Sequence, residues 1–147
     1  MKKNQVALLK GYKSGLEDNL AEQLKKSNKK FLYESEKISY IQPSKKRTYT
    51  PDFVLTKKDG STMYIESKGR WVLEDRKKHE LLKEQYPDMD IRFIFQNPNA
   101  KINKKSKTTY ADICNKHNWK YAAKTIPDEW LQECINTDDQ LSTIRIT

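Results

Sequence analysis

Two cysteines in 147 residues, Cys114 and Cys134, are too few for a disulfide framework. No apolar run follows Lys2 and Lys3 as a signal peptide would require, so an intracellular, cytoplasmic protein with reduced thiols is expected. No stretch reaches the roughly 18 apolar residues of a membrane span, and the expectation is no membrane partner and no transport across a bilayer. The four glycines, at 11, 15, 60 and 69, make neither a dinucleotide fingerprint nor a phosphate loop, which argues against a nucleotide-driven motor. Histidine is limited to His79 and His117, so there is no His-rich nuclease motif. Cys114, His117 and Cys134 would give zinc three ligands where a closed site needs four, at a spacing that matches no common finger.

Large aliphatic residues are also scarce. Leu, Ile, Val and Phe number thirty, at the edge of the composition expected of disorder. Fifteen aromatic residues and few Gly or Pro argue for folding, because aromatic rings bury the area that offsets chain entropy. The expectation is one small domain with a thin core, one that can borrow core from a second subunit. Charge is plentiful by contrast: 29 Lys and Arg against 20 Asp and Glu give a net charge of +9. Attraction and counterion release make nucleic acid the leading partner.

Along the chain, Ser14-Gly15-Leu16-Glu17 has the capping-box form and opens a helix with Leu16, Leu20 and Leu24 at spacings of four. Glu17 falls on the apolar stripe with Leu20, Ala21 and Leu24, where it either closes the capping box or serves chemistry. Residues 31–41 read as one or two strands, and 43–48 as a connector between two halves of the chain. Tyr49 to Thr56 and Thr62 to Lys68 form a hairpin about Asp59-Gly60. Leu73 to Tyr86 is a helix, 91–95 a buried strand, and Thr109 opens a further helix. Between 96 and 124 seven lysines stand against one acid, Asp112; Tyr110, Trp119 and Tyr121 interleave with them, more as packing than as base-stacking groups. Pro127 suits the first turn of a last short helix, and 135–147 reads as a weakly ordered tail.

Chemistry concentrates on the hairpin. Side chains alternate along a strand, so Glu66 and Lys68 share a face, and strand pairing brings Asp52 near them. Hard carboxylate oxygens suit Mg²⁺, with Mn²⁺ as a substitute, and Lys68 suits a developing negative charge on phosphate. The acid-x-Lys triplet alone decides nothing, since about three arise by chance in so charged a chain. Two occur. Glu66-Ser67-Lys68 lies in an apolar strand, whereas Asp75-Arg76-Lys77 lies in a charged helical stretch that reads as a solvated face. The competing account of Asp52, Glu66 and Lys68 is a cross-strand surface salt bridge, typically under about 1 kcal/mol.

Ser14-Gly15-Leu16-Glu17-Asp18, Thr48-Tyr49-Thr50-Pro51-Asp52-Phe53, Glu66-Ser67-Lys68-Gly69 with Trp71, Asp75-Arg76-Lys77-Lys78-His79 and Ile126-Pro127-Asp128-Glu129-Trp130 together resemble the phage endonuclease I family, the T7-type Holliday-junction resolvases. The resemblance implies a restriction-endonuclease-like α/β fold, a mixed sheet flanked by helices, in a domain-swapped homodimer. It implies that Asp52, Glu66 and the Ser67 carbonyl bind the divalent metal, that Lys68 is catalytic, and that Glu17 completes the site of the partner chain. Branched DNA is the implied substrate, cut by paired nicks that leave 5′-phosphate and 3′-hydroxyl ends. Arg70, Lys104, Lys105 and Lys107 are expected on phosphates, positioning the DNA without reading bases. The alternatives are a nuclease of related core acting on ordinary duplex, such as a transposition or restriction subunit, and a basic module that binds DNA without cutting it.

Overall fold

Helix α1 (Gly15–Lys26) starts where expected because the Ser14 side chain accepts a hydrogen bond from the Glu17 amide at 3.1 Å. Glu17 and Asp18 in its first turn and Lys25 and Lys26 in its last complement the helix dipole. The computed structural model describes residues 11–42 and 45–139. Leu16, Leu20, Ala21 and Leu24 form the buried stripe of α1. They pack on one face of a five-stranded sheet built from β1 (Phe31–Tyr33), β4 (Phe53–Thr56), β5 (Thr62–Lys68), β6 (Asp90–Phe95) and β7 (Lys120–Ala123), in that spatial order. The pairs β1/β4 and β4/β5 are antiparallel, and β5/β6 and β6/β7 are parallel. The mixed sheet flanked by helices is the α/β part of the expected fold class.

The parallel pairs need crossovers, and helices supply them. Helix α2 (Leu73–Gln85) joins β5 to β6, and α3 (Tyr110–Lys116) joins β6 to β7. Period-two alternation divides β6 between the two faces. Ile91, Phe93 and Phe95 enter an aromatic cluster with Trp71, Leu82, Tyr110 and Trp119, while Ile94 joins the cluster under α1 and α4 (Asp128–Gln132). Tyr110 and Trp119 are therefore core residues, as the packing reading has it. Cys114 and Cys134 are buried in different clusters on opposite faces, so they share no metal site.

Strands β2 (Ile38–Gln42) and β3 (Lys45–Tyr49) form a separate two-stranded antiparallel ladder. It is latched to α2: the Ile41 amide donates to Gln85 Oε1 at 2.7 Å, Gln85 Nε2 donates to the Ile41 carbonyl, and Tyr86 donates to the Ser39 carbonyl at 2.6 Å. Lys45 to Thr48 of the expected connector thus lie in β3, and Pro43 and Ser44 fall outside the described residues. In the expected tail, Ile135 is buried and its amide donates to the Thr56 carbonyl at 2.9 Å; residues 140–147 are outside the description. No helix among the described residues is long and apolar enough to cross a membrane.

Arg92, on β6, is more deeply buried than any other arginine or lysine among the described residues. Its guanidinium spans Asp90 (2.9 Å to each oxygen) and Glu133 (2.6 and 2.9 Å) and lies 5.3 Å from the Trp130 ring centroid. Asp90 and Glu133 keep part of their surface in water, so losing Arg92 costs its packing and charged hydrogen bonds more than it strands their charge. Arg92→Ala is expected to lower unfolding free energy by about 2 kcal/mol in urea titrations; a change below about 0.5 kcal/mol would show that the cluster is solvated.

Candidate active site

The β4–β5 register pairs Phe53 with Ile65, which carries Asp52 to the level of Glu66. Gly60, at φ +88°, makes the turn that sets this register. Asp52 Oδ2 accepts two hydrogen bonds of 2.8 Å, from the Ser67 amide and the Ser67 hydroxyl. Glu66 accepts a hydrogen bond from buried Tyr49 at the end of β3, and its Oε1 lies 3.6 Å from Lys68 Nζ. Asp52 and Glu66 are both buried, so the surface salt-bridge account fails.

Glu17 reaches the same place from α1. It accepts hydrogen bonds from the Tyr33 hydroxyl and, at 3.2 Å, from the Lys13 amide, while its own amide still donates to Ser14. Its carboxylate therefore leaves the capping box to face the hairpin. Glu34 joins it: one oxygen each of Glu17, Glu34 and Asp52 lie within 4.8 Å of one another. Glu34 has a left-handed backbone, φ +47°, its amide donates to the Asp52 carbonyl at 3.0 Å, and its carboxylate lies 2.9 Å from Lys13 Nζ. Such a conformation is uncommon for a residue with a Cβ.

The electrostatics show a site short of positive charge. Burial pushes the Glu66 carboxyl well above its usual range, and the nearby Asp52 charge adds to this. Asp52 and Glu17 are also raised, chiefly by burial. Burial opposes the charge on Lys68, but Glu66 and Asp75 outweigh it and raise its pKa. Several crowded carboxylates facing one buried ammonium are the donor set a hard dication neutralises, so the residues present fit such an ion.

The family model for phage endonuclease I matches residues 1–145. The chain belongs to the phage endonuclease I family. It is 44% identical over 122 residues to Endonuclease I of Escherichia phage T7, covering 83% of this chain and 79% of that protein. It is 41% identical over 124 residues to Endodeoxyribonuclease 1 of Enterobacteria phage T3, covering 84% and 79%. Membership in the phage endonuclease I family makes the chain an endonuclease, and the acidic cluster accords with a metal cofactor.

Within this phage endonuclease I chain, Asp52, Glu66, Lys68 and the Ser67 amide and hydroxyl lie together, and Glu17, expected in the site of the partner chain, meets the Asp52 of its own chain. Arg70 and Lys104 line one open cavity of about 600 Å³ together with Lys101, which the sequence reading did not single out. Lys105 and Lys107 are exposed on the same loop but do not line it. One expectation is overturned. The Asp75-Arg76-Lys77 stretch is no solvated face, because Asp75 is bonded to Lys68 and Arg76 is buried, donating to the Trp71 carbonyl at 3.2 Å. Tyr33, Glu34, Tyr49 and Asp75 are the site residues that sequence reasoning missed. Tyr49 directly precedes Thr50-Pro51-Asp52, but at three residues from Asp52 strand alternation would set it on the opposite face, so no local period places it against Glu66.

Proposed function

We propose that this chain is a structure-selective DNA endonuclease that resolves four-way junctions and other branched DNA by paired nicks, with Mg²⁺ as cofactor and Mn²⁺ as a substitute. The supporting observation is the convergence of buried Asp52 and Glu66 with Lys68 at the end of β5. Asp52, Glu66 and the Ser67 carbonyl would hold the ion. When bound, it supplies a more acidic water and neutralises charge on the phosphodiester. Lys68 donates hydrogen bonds to the attacking water or to a non-bridging phosphate oxygen, and keeps its own proton. Glu17 fixes the water or the second flank of the site, itself held by Tyr33 and the Lys13 amide. Water oxygen bonds to phosphorus as the P–O3′ bond breaks, leaving 5′-phosphate and 3′-hydroxyl ends. Arg70, Lys104, Lys105 and Lys107 take phosphates of the arms, a sequence-independent contact that favours selection by shape.

Paired nicks require two linked sites, and a domain-swapped homodimer provides them. In one chain the β2–β3 ladder folds back, so that α1 and β1 reach their own Asp52. Opening that ladder would deliver the same contacts to a second copy.

The deciding experiment compares four-way junction and linear duplex, with Mg²⁺, for the wild type and Asp52→Ala. Cutting of the junction by the wild type alone is expected. Equal cutting of both substrates would point to a nuclease of ordinary duplex. Metal-independent junction binding without cutting by either protein would identify a binding module.

A further inference from the structure

We propose that Asp75 is a positioning residue for Lys68, holding its ammonium beside the carboxylate cluster so that Glu66 and Asp52 stay open to a cation. The inference rests on the reading of Lys68 as the group that acts at the phosphodiester. Lys68 extends from the last position of β5 and Asp75 from the first turn of α2, and the two are joined by a charged hydrogen bond. Glu66 Oε1, at 3.6 Å, is beyond hydrogen-bond reach of Lys68, and its other oxygen already accepts from Tyr49.

Asp75 is itself held from behind. Its second oxygen lies 3.0 Å from Lys78 Nζ and 3.7 Å from His79 Nε2. His79 is fully buried, neither ring nitrogen has a hydrogen-bond partner, and its ring stands edge-on to Tyr49 and Phe93. Burial drives its pKa well down, so His79 is a neutral wall that donates no second positive charge. Despite its own burial, Asp75 is held down to about 2 by the Lys68 ammonium and stays ionised wherever the enzyme works. Without Asp75, the nearest anions to Lys68 are Glu66 and Asp52. The ammonium would settle on them and compete, as an internal cation, with the metal.

The test uses steady-state cleavage of a four-way junction and side-chain NMR. Asp75→Asn is expected to lower kcat about 10- to 100-fold with KM within about twofold, the size typical of lost second-layer support. Asp75→Glu, which keeps the charge, is expected to remain within about threefold of wild type. Lys78→Ala, which loosens Asp75 from behind but leaves its bond to Lys68, is expected to lower kcat by less than Asp75→Asn does; a loss equal to that of Asp75→Asn would mark a merely structural role and overturn the proposal. In the wild type the Lys68 ammonium should give a slowly exchanging ¹H–¹⁵N signal coupled across the hydrogen bond to the Asp75 carboxyl carbon. This readout needs no variant to fold and no metal, and absence of that coupling would likewise overturn it. Lys68→Ala separates the two levels: wild-type cutting by Lys68→Ala refutes the role of Lys68, whereas an inactive Lys68→Ala beside a fully active Asp75→Asn refutes only the role of Asp75.

Discussion

Glu66→Gln is expected to lower junction cleavage by about a thousandfold or more and, in metal-free buffer, to raise thermal stability. The two effects have one cause. Glu66 is 4% exposed and sits beside Asp52, so burial first and repulsion second make its ionised form costly in the fold. A carboxyl whose folded pKa lies above its unfolded value is ionised more readily by the unfolded chain. Its penalty is absent below the unfolded value near 4.5, grows as pH rises above it, and levels off above the folded pKa. Gln keeps the shape and can still accept from Tyr49, while Lys68 keeps Asp75. In EDTA at pH 8 the variant should therefore gain about 1 kcal/mol, a few degrees in Tm, and the gain should shrink at pH 5. Added Mg²⁺ should stabilise the wild type and leave the variant nearly unmoved, because only the wild type retains the full donor set. A lower Tm for Glu66→Gln at pH 8 in EDTA would show that Glu66 holds the fold together instead of straining it.

Features written in local sequence were legible. Ser14 and Thr109 cap their helices with the side-chain bonds their spacing implies, and the Asp59-Gly60 turn sets the register that aligns Asp52 with Glu66. What was missed depends on non-local packing. Strand β7 is four residues, Lys120-Tyr121-Ala122-Ala123, with no period strong enough to announce it, and its pairing with the strongly apolar β6 creates it. Residues 49–56 read as one strand, yet Thr50-Pro51-Asp52 divides β3 from β4, because proline interrupts a ladder. Asp75 looks like any acid among lysines until α2 crosses the end of β5 and half-buries it against Lys68. Glu34 is harder still, since its place beside Asp52 follows from a left-handed backbone that composition does not encode. Glu17 on the helix and Glu66 on the strand were readable from period and Asp52 from the cross-strand register, whereas Glu34 and Asp75, set by a left-handed bend and a crossover, were not.

A mixed dimer of Glu17→Gln and Asp52→Asn subunits is expected to nick junctions, although each homodimer is inactive. In the proposed exchange, one composite site combines Glu17→Gln of the first chain with Asp52→Asn of the second and is doubly impaired. The other combines the native Glu17 of the second chain with the native Asp52 of the first and is whole. If each chain instead supplied its own Glu17, as a folded-back β2–β3 ladder allows, both sites would carry one defect and the mixture would stay inactive. The contrast between these outcomes is on the order of a hundredfold or more, well beyond any effect of subunit stability. Differently tagged chains, coexpressed and purified through both tags, isolate the mixed species. Its product is diagnostic as well: one intact site gives a single nick per junction, so nicked intermediates accumulate where the wild type yields resolved duplexes. The energetic basis is that exchange preserves the Glu17–Asp52 proximity, the Tyr33–Glu17 bond and the β1–β4 pairing, and re-forms the β2–β3 ladder between the two chains. An inactive mixed dimer would assign Glu17 to its own chain and leave two self-contained sites joined by some other surface.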